Sequence, residues 1–355
     1  MYANLNKFQA LLENKQQAIL LSSDYNRLYG TGSSVEESLA VVCHDGLTFF
    51  TDSRYIEAAR RDMPDFDVRM TDQNHTALSL LKEVLEARQI RQLGIEEKVM
   101  TVAEYRRLEQ GLGIELFFIQ DKLDACREAK EDWELERMLQ AQQITDAAFA
   151  DLCGKIRAGM TEKEVEMLLI TALYRHGADG MAFAPIVVSG PNSSMPHGVA
   201  GQRKLRAGDF LTMDFGARYR GYCADMTRTV AIGYATDRMR QVYDTVLQAQ
   251  AAGIAATRAG IPGCQVDAAA RKVIAEAGYG AYFSHGYGHG LGIRIHEGPN
   301  CNPSGKKPLP VGAVCSAEPG IYLPGEFGVR IEDVVIVQAD GCRDITRSPK
   351  ELIIL

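Results

Sequence analysis

The feature that most constrains what this chain can fold into is a weak internal repeat. RAGMTEKEVE, from Arg157 to Glu166, aligns with RAGIPGCQVD, from Arg258 to Asp267, and LRAGDFLTMDFG, starting at Leu205, aligns with LPVGAVCSAEPG, starting at Leu309. Two matches in the same order at nearly the same offset imply a duplicated α/β unit. The period is too long for a solenoid, so the expected product is two pseudo-symmetric halves facing one cleft. In this alignment Asp214 falls on Glu318.

The repeat occupies only the second part of the 355 residues, and a chain of that length favours two domains. Between Gln17 and about Gln120, short β-like runs alternate with amphipathic ones. SLAVVCHDGLTFFTD reads as a hairpin with Asp45-Gly46 at its turn. TALSLLKEVLEARQI and TVAEYRRLEQGL carry helical spacing, while QLGIEE and IELFFIQ read as strands. A long helix is expected from about Ala129 to Ile156, stopped by Gly159.

Composition removes several classes of function. A formal net charge of −7 argues against a nucleic-acid-binding surface, which needs clustered Lys and Arg. No run approaches the ~20 apolar residues that span a bilayer. The opening MYANLNKFQALLENK lacks the basic and apolar regions of a signal peptide, so a cytoplasmic location is expected. The eight cysteines are scattered without a CxxC pair, which favours buried thiols over disulfides or a thiolate zinc site.

Chemistry concentrates in two acidic hairpins and one histidine run. In DFLTMDFGARYRGYCADMTRTVAI, a turn centred between Tyr219 and Arg220 sets Asp214 opposite Asp225 and Thr212 opposite Thr227. Leu211, Met213, Phe215, Ala224 and Met226 then share the other, apolar face. Like charges side by side call for a cation between them. Two exposed, turn-flanking aspartates are an equal reading of this segment taken alone. The second repeat adds Glu318 and Glu332, the latter sharing a face with Arg330. Carboxylates from two hairpins plus one histidine suit a bridged pair of Mn²⁺, Co²⁺, Fe²⁺ or Zn²⁺ ions. SHGYGHGLGIRIHEGP holds three of the seven histidines, His285, His289 and His296, but its glycines make a zinc-protease helix untenable.

The ordered segments PNSSMPHG, MDFGARYRGYCADMTRT, GYGHGLGIRIHEGP, SAEPGIY and GVRIED closely resemble the pita-bread metallopeptidases, in the branch of aminopeptidase P and prolidase. NRLYGTG and TDSRYIEAA in the first part also look like that branch. The resemblance implies an α/β (α+β) chain: residues 1–125 as an N-terminal α/β domain of the creatinase/prolidase type, and residues 126–355 as a pseudo-symmetric pita-bread catalytic domain. It implies Asp214, Asp225, His289, Glu318 and Glu332 as ligands of two divalent metal ions, Mn²⁺ foremost. It further implies Glu318 as proton shuttle, His197 and His296 as catalytic groups that touch substrate, and His285 as a wall of the proline-side pocket. Arg330 is expected to orient Glu332 or Asp225. Glu297 is read as structurally paired, Tyr222 and Trp133 as packing residues, and His44, His75 and His176 as structural.

The implied activity is removal of an N-terminal residue from Xaa-Pro peptides or dipeptides by a homodimer. Methionine aminopeptidases are the nearest rival, although they generally lack an N-terminal domain of ~120 residues. Creatinase shares the two-domain plan without the ligands. A non-catalytic binding protein on the same fold is a reading from another class, and its expected sign, a lost ligand, is missing here.

Overall fold

A computed structural model describes residues 4–355; the first three residues of the N-terminal segment read above lie outside it. The chain divides into two compact units, Met1–Arg127 and Glu128–Leu355. The border expected after residue 125 falls within a helix, Gln120–Glu128.

The first unit is built on a six-stranded mixed sheet. Its spatial order is Asp67–Thr71, Gly46–Asp52, Leu39–Cys43, Gln17–Leu21, Gln92–Ile95 and Glu115–Phe118. The expected hairpin forms, but Cys43 pairs with Gly46, so His44 and Asp45 make the turn and Gly46 already opens the second strand. The helices Ala77–Ala87 and Val102–Leu112 start at Thr76 and Thr101, whose hydroxyls accept from the third residue onward. Leu80, Leu81, Val84 and Leu85 of the first, with Leu108 and Leu112 of the second, bury their apolar face against the sheet residues Leu20, Val41 and Leu93.

The second unit carries the duplication. Helices Asp132–Cys153 and Glu162–Arg175 form one pair, and Asp237–Ala256 and Gly263–Glu276 the other. The first helix stops at Gly154, several residues before Gly159, which instead takes φ 92° in the following turn. Each pair accompanies a long hairpin. Phe210–Phe215 pairs with Met226–Ala231, and Val314–Ala317 pairs with Asp333–Gln338. Leu211, Met213, Phe215, Met226 and Val230 pack into a core with Ile144, Phe149 and Leu169 of the first helix pair. Cys315, Ala317 and Val335 do the same with Val242, Val246 and Val266 of the second.

The register of the first hairpin differs from expectation. Arg220 and Gly221 form its turn, with φ of 47° and 83°, so Asp214 faces Thr227 and Thr212 faces Thr229. A two-residue hairpin turn with both φ positive matches the twist of the flanking strands. One step past Phe215↔Met226, the same register sets Asp225 opposite Gly216, where the ladder is interrupted. Because partners move by two residues, Asp214 and Asp225 keep the same face. The second hairpin is interrupted likewise: one step past Ala317↔Asp333, Glu318 stands opposite Glu332. Pro319, lacking an N–H, follows at the break. Among the described residues, no helix is long and apolar enough to cross a membrane.

Gly216 packs closely against the backbone of the opposite arm of the hairpin. A Cβ there would lie 1.8 Å from the Ala224 carbonyl oxygen. Gly216→Ala is expected to lower stability by at least ~1–3 kcal/mol, the usual cost of overpacking. Gly180→Ala, whose Cβ meets nothing within 4 Å, is expected to stay within about 0.5 kcal/mol of the parent. Urea unfolding of the two variants side by side checks this, and equal midpoints would contradict it.

Candidate metal centre and cleft

The two hairpin breaks and the glycine-rich run open onto one cavity of about 290 Å³. Asp214, Asp225, His289, Glu318 and Glu332 all line it, and so do His197, His285, His296 and Arg330. The nine residues singled out by sequence are therefore in one place. His289 lies on the short strand Gly288–Gly290, between Glu297–Cys301 and Val314–Ala317. The neighbouring glycines are required by contact: a Cβ on Gly288 would sit 2.1 Å from the Ser316 carbonyl oxygen, and one on Gly290 2.3 Å from that of Gly298.

Asp225, His289 and Glu332 each bring one donor atom within 4.8 Å of the others, an arrangement able to hold a metal ion. His289 Nε2 is 3.2 Å from Glu318 Oε1 and 3.6 Å from Asp225 Oδ2. Its Nδ1 lies 3.1 Å from the Gly290 carbonyl, which can only accept. Nδ1 therefore carries a proton, and Nε2 is the nitrogen aimed at the carboxylates, as in metal-binding histidines fixed by a backbone carbonyl. Asp214 Oδ1, Asp225 Oδ1 and Glu332 Oε1 are buried without a hydrogen-bond partner among the described residues. Such orphaned oxygens in a cluster of like charge fit a cation, and the donor set is hard, all oxygen and imidazole.

One oxygen each of Asp214, Glu318 and Glu332 is held by a polar frame in which Thr227, Ser316 and Tyr322 join Arg330. Thr227 Oγ1 donates to Glu332 Oε2 at 2.7 Å and accepts from Arg330 Nε at 3.0 Å. Ser316 Oγ donates to Glu318 Oε1 and accepts from the His289 N–H, both at 3.0 Å. Arg330 meets Asp214 Oδ2 at 2.6 Å and Tyr322 Oη at 2.8 Å. Its direct carboxylate partner is Asp214, and it reaches Glu332 through Thr227. Side-chain alternation marks Thr227 as sharing the face of Asp214, which is the signal that could have found it. Nothing local marks Ser316 or Tyr322.

The histidines divide by surroundings. The His296 ring stands edge-on to that of His289, with centroids 4.3 Å apart, and is exposed, as is His197. His285 Nε2 is 2.8 Å from the Tyr322 hydroxyl. Glu297 pairs with Lys130 at 3.0 Å, both nearly inaccessible, and Trp133 packs edge-on to Tyr222. These last residues are structural, as read from sequence.

Comparison with known proteins agrees with this geometry. The sequence pattern of Metallopeptidase family M24 matches residues 136–339, and that of the Creatinase/Prolidase N-terminal domain matches residues 5–129. The chain belongs to metallopeptidase family M24. Its curated relatives include the uncharacterized peptidase YqhT of Bacillus subtilis, 38% identical over 95% of both chains. Among solved structures, an Xaa-Pro dipeptidase from Bacillus anthracis is 36% identical with a TM-score of 0.94 over 99% of both chains. An X-Pro aminopeptidase from Thermotoga maritima is also 36% identical, with a TM-score of 0.91 over 96% of this chain and 97% of that one. This M24 chain has the two-part architecture of the aminopeptidase P and prolidase branch: a creatinase/prolidase-type N-terminal domain and a pita-bread catalytic domain.

Charge crowding sets the protonation of the M24 site. Burial pushes Asp225 and Glu332 well above the usual carboxylate range, and the neighbouring carboxylates push them further. Burial also raises Asp214, against the opposing pull of Arg330. Glu318 is the exception: burial works upward, but the hydrogen bond and charge of His289 bring it down to about 2. Burial would lower His289, and Glu318 more than reverses this, so the ring is pushed up. Holding a cation requires Asp225 and Glu332 deprotonated and His289 neutral. Ion uptake is therefore expected to release protons, and affinity to fall as pH falls through these raised values. Calorimetric titration of the chelator-treated protein with Mn²⁺, in buffers of different ionisation enthalpy, reads the proton count directly. A heat independent of buffer would contradict the expectation, and Asp225→Asn should reduce both affinity and proton release.

Proposed function

We propose that this protein is a metal-dependent exopeptidase that hydrolyses the bond between an N-terminal residue and proline, in Xaa-Pro dipeptides or at the start of longer peptides. The observation that carries the reading is the presence of five potential ligands and three further histidines around one cavity. The names of the B. anthracis and T. maritima neighbours, an Xaa-Pro dipeptidase and an X-Pro aminopeptidase, support the substrate class. In this proposal Asp214, Asp225, His289, Glu318 and Glu332 hold two divalent cations, with Mn²⁺ favoured by the hard donors. A cytoplasmic homodimer is part of the same proposal, on family likeness.

When bound, a pair of divalent cations supplies Lewis acidity and lowers the pKa of water toward neutrality. The chain's own groups do the rest. Glu318, as a carboxylate, takes the proton of the attacking water and passes it to the leaving proline nitrogen. His197 and His296 donate toward the carbonyl oxygen as charge develops on it. Partial desolvation in the cleft lowers the His296 pKa, so the ring is neutral near pH 7 and donates without itself carrying charge. An amide before proline has no N–H and a fixed φ. Recognition therefore falls to the shape of the wall beside His285, and not to a backbone hydrogen bond.

Product analysis on Gly-Pro, Ala-Pro-Gly and Met-Ala-Ser with Mn²⁺ tests the substrate class. Release of Gly and Ala with Met-Ala-Ser untouched is expected, and preferential release of Met would replace this reading with a methionine-aminopeptidase-like one. His296→Ala should keep its ions yet lose roughly 10²–10³ in kcat/KM, the usual worth of one oxyanion donor. His289→Ala should lose ions and activity together. Metal counts beside the kinetics separate the two roles, and a His296→Ala protein unable to bind metal would refute the division.

A further inference from the structure

The loop that carries His197 is fastened on both sides of that residue to one buried carboxylate that does not line the metal cavity. Glu162, the first residue of the helix Glu162–Arg175, is fully inaccessible. Its Oε1 accepts from the Ser189 N–H at 2.7 Å, from Ser189 Oγ at 2.8 Å and from Asn192 Nδ2 at 3.1 Å. Its Oε2 accepts from the Gly201 N–H at 3.1 Å. Ser189 and Asn192 lie where the loop leaves the strand Ile186–Ser189, and Gly201 lies four residues past His197, before the chain runs on to the strand Phe210–Phe215.

Between these anchors the loop is tied to the site itself. Ser193 Oγ accepts from the Gly328 N–H at 2.9 Å, and Arg330 Nη1 reaches the Pro196 carbonyl at 3.4 Å, one residue before His197. We propose that Glu162 is a positioning residue for the reaction, setting the reach of His197 into the cleft by clipping the two ends of its loop together. The proposal rests on the role given above to His197, and it adds a residue that touches neither metal ligand nor cavity.

The chemistry explains why a carboxylate is needed. All four partners donate: two backbone N–H groups, an amide NH₂, and the Ser189 hydroxyl, whose oxygen is engaged by Arg203 at 2.7 Å. A carboxylate offers an acceptor oxygen to each end of the loop, whereas a glutamine of the same shape offers only one. Glu162→Gln must therefore set its NH₂ against donors on one side, either Ser189 or Gly201, and break those hydrogen bonds, although the Lys163 N–H still donates to the Gly201 carbonyl at 3.1 Å. Arg203 does not lose its counter-ion in that variant, because it pairs with Asp209 at 2.6 Å.

A displaced donor of the order of 1 Å can cost about 10²-fold in rate. Glu162→Gln is expected to lose up to that factor in kcat/KM on Ala-Pro-Gly with its metal count unchanged. The decisive readout is a double-mutant cycle in the Mn²⁺-loaded protein. In a His197→Ala background the loss from Glu162→Gln should vanish, while in a His296→Ala background it should persist. General weakening of the structure would show equally in both. Asn192→Ala, which removes one donor and leaves the carboxylate in place, goes through the same cycle and decides the matter should Glu162→Gln fail to fold. Wild-type turnover in these variants, or a loss that survives in His197→Ala, overturns the clamp while leaving His197 in its role. A silent His197→Ala overturns that role first, and the clamp with it.

Discussion

Four carboxylates packed around one small cavity must stay apart from water and close to each other without pushing the fold open. Two cationic side chains at the cluster, Arg330 and His289, offset part of this charge. The remainder is met by proton uptake on Asp225 and Glu332 when no cation is held, so the site exchanges protons for metal. Breaking a buried pair in such a cluster typically costs ~3–5 kcal/mol. The Arg330–Asp214 contact thus does two things: it opposes the upward push that burial gives the Asp214 carboxyl, and it locks the two hairpins together.

The interlock extends along the backbone. The Glu332 N–H donates to the Thr227 carbonyl at 3.1 Å, and Thr229 Oγ1 both donates to the Arg330 carbonyl and accepts from the Arg330 N–H. On the opposite face Arg228 gathers the Glu332 carbonyl at 2.6 Å, Asp333 at 2.7 Å and the Ser348 carbonyl at 2.8 Å. Residues 227–229 and 330–333 are thereby held edge to edge by polar contacts, although they belong to different sheets. Both hairpins are interrupted beside this seam, at Gly216 opposite Asp225 and at Glu318 opposite Glu332. An interrupted ladder frees a side chain from the regular pleat and re-aims it. The duplicated unit brings two such interruptions to one cavity.

The face of each acidic residue was legible from the sequence, and the register was not. Two-residue alternation survives a shift of two partners, so Asp214 and Asp225 stay on the polar face although the turn is at Arg220-Gly221. That turn lacks the Asn-Gly or Asp-Gly signature, and arginine at positive φ is uncommon. The end of the first long helix was misread for a related reason: Gly154 and Gly159 are both plausible stops, and packing rather than composition chooses between them. Contacts such as Arg330 to Asp214 or Thr227 to Glu332 join residues more than one hundred positions apart and leave no local trace. The Glu162 contacts, 27 to 39 positions apart, also leave no local trace, since TEKEV reads only as a helix start.

His285 has both of its ring nitrogens engaged within the protein. His285 Nδ1 lies 2.8 Å from the Gly286 carbonyl, which can only accept, so that nitrogen carries the proton. Burial, with the charge of Arg330 opposing that of Glu318, lowers its pKa and keeps the ring neutral. Nε2 is then an acceptor, and the Tyr322 hydroxyl must donate to it while accepting from Arg330 at 2.8 Å. Both ring nitrogens are consumed, and the ring is wedged edge-on to Phe283 with centroids 5.1 Å apart. What His285 offers to the cavity is a rigid, uncharged ring surface, the kind of wall that suits a pyrrolidine ring with no N–H to give. In the function proposed above, the exposed rings of His197 and His296 are the donors, while His285, both of whose nitrogens are engaged, gives the cavity its shape.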